Sequence, residues 1–170
     1  GLLSALAEST LPADNQQRTS LMDKCLRVNK QRVIERFDGY RRLAPMAEAL
    51  QRNPDAVMYA SQQFFIDLVV WYHLGWLAET TRRESALVQQ LQDKQYGYTP
   101  HDRHQLLRLI HDELRSIIPR YRKLQDQGRV ELAMSPYAHP MLPLLLDMES
   151  AREALPDSPL PLVTHYPGGR

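Results

Sequence analysis

From residue 16 to residue 53, apolar side chains return every three to four positions. Leu21, Cys25, Val28, Val33, Ile34, Phe37, Tyr40, Leu43, Ala47 and Leu50 trace this spacing, which is that of one helix face. Asn29, Gly39 and Pro45 divide the stretch into two or three helices. Ahead of it, residues 1–15 are weakly patterned: a short helix ends near Leu11-Pro12, and Asp14 or Asn15 caps the next one. Asn53-Pro54 marks a fresh helix start, with the proline at the first helical position. The helix expected from there to about Leu77 is apolar on almost every side, as a central core helix is. It is not a membrane span, because Asp67 and His73 interrupt the run and leave it short of the ~20 residues a bilayer requires.

A more polar helix is expected from Thr80 to Gln95, with Leu87, Val88 and Leu91 as its apolar stripe and Gly97 beyond its end. Thr99 and Pro100 open the longest helix, Thr99 as N-cap and Asp102 at N3. Its stripe runs from Leu106 to Leu124, Pro119 should kink it, and Gly128 suits the left-handed position past its end. The period then changes. Val130, Leu132 and Met134 alternate with Glu131, Ala133 and Ser135, the pattern of a short strand. Ser135-Pro136-Tyr137 ends the strand, since proline cannot donate to a ladder. His139-Pro140 comes next, with an apolar run around Pro143 and then a short helix from Asp147 to Leu155. Pro156, Pro159, Pro161 and Pro167 make the remainder an extended surface segment.

These patterns predict a mainly α fold with one or two short strands. Residues 1–128 form a helical region, 129–155 a strand, turn and following helix, and 156–170 a proline-rich extended segment. The chain ends read as the interior of a longer protein: Gly1-Leu2-Leu3 has no basic leader and Tyr166 to Arg170 reads as a loop that continues.

Composition narrows the function classes. With 21 basic against 20 acidic residues, net charge is +1, and that balance gives no support for a nucleic-acid or membrane partner. The single cysteine, Cys25, sits at an apolar-periodic position and reads as a core residue. A reducing, cytoplasmic location is the matching expectation. His101, His104 and His111 share a helix without the spacing of a metal pair, so no metal and no cofactor is expected.

The turn after the strand carries the leading candidate. His139 lies just past Tyr137 on a stretch that prolines stiffen, and a rigid turn presenting an imidazole suits hydrogen bonding to a ligand or the tuning of a carboxylate. Its bland reading is a histidine that caps the next helix; for Tyr137 that reading is ordinary packing. Trp71, Tyr72, His73 and Trp76 cluster at helical spacing. Trp71 and Trp76 are candidates for an aromatic platform under a ligand, weighed against simple core packing. The carboxylates Glu35, Asp38, Asp112, Glu113, Asp147, Glu149 and Glu153 fall on helices. General acid–base chemistry by paired carboxyls needs two of them close together across a site, and none of these is placed at the ends of neighbouring strands, so no catalytic residue is assigned within the chain.

Gly128-Arg129-Val130-Glu131 leading into Ser135-Pro136-Tyr137-Ala138-His139-Pro140-Met141-Leu142-Pro143-Leu144-Leu145 resembles the second conserved region of glycoside hydrolase family 57, the α-amylases and 4-α-glucanotransferases. Residues 68–76, reading Leu-Val-Val-Trp-Tyr-His-Leu-Gly-Trp, and 117–126 resemble the helical region before it, and Tyr166 to Arg170 resembles a later segment. The resemblance implies a (β/α)7 barrel of which this chain supplies a helical subdomain and one strand. It implies an α-glucan or oligosaccharide substrate, a retaining hydrolysis or transfer, and His139 with Tyr137 at the substrate. It also implies that the first conserved region, of His-Gln-Pro type, lies before Gly1 and that the two catalytic carboxylates lie beyond Arg170. The piece by itself would then be inactive, with the remainder of the parent chain as its partner. Ala138 stands where many members carry a second tyrosine, which changes the expected aromatic wall. The competing reading is a non-catalytic helical interaction or regulatory module.

Overall fold

The computed structural model describes residues 1–8, 10–135 and 141–163. Contacts divide the chain into two units, Gly1–Ile117 and Ile118–Arg170. The first opens with α1 (Leu2–Ala7) and α2 (Asn15–Leu26). Asp14 caps α2, its carboxylate accepting the Gln17 N–H at 2.9 Å. Asn29 ends the pattern and starts a π-helical turn, Lys30–Ile34, by accepting the Arg32 N–H at 2.8 Å. α3 (Asp38–Arg52) comes next. Pro45 lies inside α3 instead of breaking it. The ring is on the exposed side while Ala44 and Ala47 are buried, so the carbonyl that loses its bond faces water rather than the core.

The expected helix from Asn53 to Leu77 divides. Pro54–Tyr59 is a 3₁₀ turn, and α4 (Gln62–Trp76) starts afresh where Ser61 Oγ accepts the Phe64 N–H at 3.2 Å. The helix expected from Thr80 to Gln95 divides likewise into α5 (Glu79–Glu84) and α6 (Ala86–Lys94), because Ser85 caps the second piece through the Val88 N–H at 3.4 Å. α7 (Pro100–Asp126) begins with the expected reciprocal cap: Thr99 N–H donates to Asp102 Oδ2 at 2.7 Å and Asp102 N–H to Thr99 Oγ1 at 3.2 Å. It runs through Pro119 without interruption. Gly128, at φ +65°, closes it: its N–H bonds to Gln125 O and the Arg129 N–H to Leu124 O, satisfying two terminal carbonyls.

In the first unit α4 is the axis. It packs against α1, α2 and α3 and buries Phe65, Leu68, Val69, Val70, Trp71 and Leu74. Val88 and Leu91 of α6, Tyr98, and Leu106 of α7 join the same cluster. Two glycines permit the closest approaches. A Cβ on Gly39 would lie 2.3 Å from the Trp71 ring, and one on Gly75 2.6 Å from Val33 Cγ1, so neither position has room for a side chain. Cys25 is fully buried, and burial pushes its thiol up to about 12. No helix of the described residues is long and apolar enough to cross a membrane.

The second unit holds the end of α7, then α8 (Leu142–Leu146), a 3₁₀ turn Met148–Ser150 and α9 (Ala151–Ala154). The strand expected at Val130–Met134 is absent, and no described residue pairs in a sheet. Residues 130–135 are irregular, with Val130, Leu132 and Met134 exposed. The alternating pattern is there, but a strand exists only against another edge, and none of the described residues provides one. The fold of the described residues is mainly α, and a barrel is not part of it.

Candidate functional site

His139 and Tyr137, the residues expected at the substrate, lie outside the described residues. Those on either side are described: Glu131, Leu132, Ala133, Met134 and Ser135 are exposed ahead of them, and Met141 is exposed after them. α8 then starts with Pro143 in its first turn. Asp147 caps the 3₁₀ turn, accepting the Glu149 N–H at 3.0 Å, and Glu149 pairs with Arg152 at 2.7 Å. These carboxylates hold the local chain together.

The aromatic cluster on α4 is sorted by position along the helix. Trp71 is 2% exposed and Trp76 61%. Trp71 has Phe37 at 5.7 Å and Tyr98 edge-on at 6.4 Å between ring centroids, and its indole N–H donates to Gln95 O at 2.7 Å. With Gly39 against the same ring, it offers no open face to a sugar and belongs to the core. Trp76 ends α4 and keeps its ring in solvent. Tyr72, one turn earlier, is half-buried with its ring centroid 6.3 Å away and the planes 58° apart. His73 supports Tyr72 edge-on at 5.2 Å. Its own Nδ1 lies 2.8 Å from Val69 O, and burial lowers its pKa against the opposing pull of that carbonyl. A neutral, buried imidazole with a backbone partner is a packing residue.

Two carboxylates carry loads that the sequence does not advertise. Asp67, buried in α4, accepts the Gly97 N–H and the Tyr98 N–H, both at 3.0 Å, and the Gln63 amide at 2.7 Å. It fastens the loop between α6 and α7 to the axis of the fold. Glu79 receives Arg36 at 2.7 Å and Arg82 and Arg83 at 2.9 Å each. Arg82 and then Arg36 hold the Glu79 carboxyl down at about 2. The Glu79 to Arg82 and Arg83 spacings are those of helical ion pairs and are visible in the sequence; Arg36, from a distant segment, is not. Asp102 is pushed up by burial, but the Lys94 and Thr99 hydrogen bonds outweigh this and hold it below the usual carboxylate range. Asp38 pairs with Arg41 at 2.7 Å. Carboxylates engaged in this way are structural, and a glycosidic acid–nucleophile pair needs two that are free to meet a substrate.

An open cleft of about 580 Å³ lies between α3 and the start of α4, lined by Met46, Leu50, Asn53, Tyr59 and Phe64 among others, with no carboxylate or histidine. No group of His, Cys, Asp and Glu suited to a metal ion occurs among the described residues.

No curated protein and no solved structure matches the chain. A family model, glycosyl hydrolase family 57, matches residues 30–157. That span is well over half of the chain. It takes in α4 with its two tryptophans, the long α7, the irregular 130–135 stretch and the Pro136 to Pro140 segment, so the match covers most of the helical region together with the motif beyond it. The chain belongs to glycosyl hydrolase family 57.

Proposed function

We propose that this chain is the helical part, with one stretch of the substrate-binding rim, of an enzyme that cleaves or transfers α-glucan chains with retention of configuration. His139 contacts sugar hydroxyls or supports the nucleophile, and Tyr137 offers a ring to the substrate. The catalytic carboxylates come from chain outside these residues. The observation that carries the reading is the family match over residues 30–157, which contains the Ser135 to Leu145 motif. The engagement of Asp67, Glu79 and Asp102 in structural bonds supports the assignment of the acid chemistry to residues elsewhere.

The test is the His139→Ala variant of the full-length enzyme on malto-oligosaccharides. Losing one hydrogen bond to a substrate or to a charged neighbour lowers kcat/KM about tenfold or more, with the melting temperature unchanged. Activity equal to wild type removes His139 from the site. Absence of any glycosidic activity in the full-length protein favours the helical interaction module instead.

A further inference from the structure

We infer that the Trp76 indole and the Tyr72 ring form an accessory subsite that stacks glucosyl units of an α-glucan and takes no part in bond cleavage. This deepens the α-glucan reading and rests on it for the identity of the sugar.

The polar tips of the aromatic residues fall into two groups. Trp71, Tyr40 and Tyr98 are buried, and each spends its N–H or O–H on a backbone carbonyl: Gln95 O, Cys25 O and Leu91 O respectively. Trp76 and Tyr72 sit on the same core helix or its end, yet neither tip has a hydrogen-bond partner among the described residues. Aromatics recruited for packing have their tips satisfied; these two leave an unused donor for solvent or a ligand.

The shape of the pair suits a sugar ring. Residues 72 and 76 are one helical turn apart, and a helical side chain leans back over the preceding turn, which brings the Trp76 ring toward Tyr72. Centroids 6.3 Å apart and planes inclined at 58° make an angled floor rather than a closed stack. His73 props Tyr72 from the side. Arg82 donates to the carbonyls of Gly75 and Leu77, on either side of Trp76, and so pins the backbone that carries the indole.

The charged segment next to Trp76 narrows the choice of ligand. Ala78 leads directly into α5, where Glu79 is tied to Arg36, Arg82 and Arg83. An apolar partner covering Trp76 would have to desolvate that segment, at a cost. A pyranose ring has an apolar C–H face for the indole and a rim of hydroxyls for the free N–H, the phenol and the charged edge. The same amphipathic division on both sides selects a sugar over an apolar helix.

The chain's two tryptophans make the test direct. Trp71 is shielded and Trp76 open, so iodide quenching of this chain's fluorescence reports on Trp76. Titration with maltoheptaose should reduce that quenching to saturation. Trp76→Ala should abolish the maltoheptaose binding heat in isothermal titration calorimetry while leaving far-UV circular dichroism and melting temperature as they were, and Tyr72→Ala should weaken binding about tenfold, read by both calorimetry and the quenching signal. Protection by cellohexaose but not by maltoheptaose keeps the stacking site and overturns the α-glucan reading. Protection by neither sugar, or protection that persists without Tyr72 at full strength, overturns the subsite.

Discussion

Trp71→Ala is expected to remove about 3–5 kcal/mol of folding stability, the range for deleting a large, fully packed aromatic. The ring is 2% exposed and sits against Phe37, Tyr98 and Gly39. These neighbours come from the start of α3 and from the loop between α6 and α7, each held by its own contacts, so they have little freedom to collapse into the space left behind. A second loss is the hydrogen bond to Gln95 O at 2.7 Å. Gln95 adopts φ +64°, a conformation that costs a non-glycine residue about 1–3 kcal/mol unless its surroundings enforce it, and the indole N–H is part of that enforcement. Trp71→Phe retains most of the ring contacts and loses the bond, so its loss should fall well below that of the alanine variant. Urea unfolding followed by circular dichroism measures both. A loss under about 1 kcal/mol for Trp71→Ala would mean that the core is not organised around this side chain.

Asp67→Ala is expected to cost about 2–6 kcal/mol, because it strands two backbone donors where water has poor access, at roughly 1–3 kcal/mol each. Tyr98 N–H is buried and Gly97 N–H partly so. The consequence spreads beyond the two bonds. The loop they secure carries Gln95 O, which holds Trp71, and Tyr98, whose hydroxyl donates to Leu91 O at 2.8 Å. Asp67→Asn separates the contributions. With its one remaining oxygen at Oδ1 it still accepts Tyr98 N–H and the Gln63 amide, while its NH₂ faces the Gly97 N–H. The asparagine variant should therefore lose about half as much as alanine. Hydrogen exchange of the Gly97 and Tyr98 amides locates the damage: faster exchange there, before the rest of the unit, is the expected outcome, and unchanged exchange in Asp67→Ala would contradict the fastening role.

What the sequence discloses about this fold is mostly local chemistry. The cap at Asp14, one of two positions the sequence allows, the Thr99–Asp102 reciprocal cap and the left-handed Gly128 each depend on neighbours within a few residues, and each is found within the expected spacing. The centrality of α4 is legible too, since a helix apolar all round has nowhere to be but inside. Serine caps are harder to see. Ser61 and Ser85 restart helices in the middle of runs whose periodicity looks continuous, because a cap shifts the backbone without disturbing the apolar count. Pro45 reads as a breaker from identity alone, and only its outward placement explains its tolerance. Val130 to Met134 carries the alternation of a strand, but pairing is a property of two segments and a pattern in one cannot supply the other. For the aromatic cluster, identical residue types at five-residue separation take opposite fates: Trp71 is sealed and Trp76 open, because five residues turn roughly 140° around the helix and Trp76 is also its last residue. Asp67 shows the same limit, since its partners lie some thirty residues on. His139 and Tyr137 owe their candidacy to motif and family, and the described residues place only their flanks.

The solitary sulfhydryl has a practical corollary. Cys25 is shut within the α2–α3–α4 packing and its deprotonation is driven up to about 12, while the thiolate is the form that attacks electrophiles. Disulfide reagents should consequently label the molecule only during excursions that part those helices, and the labelling half-time becomes an intrinsic clock for such breathing. Sub-denaturing urea should quicken the clock; alkylation at the pace of a free cysteine in plain buffer would show that the helices part far more readily than their packing implies.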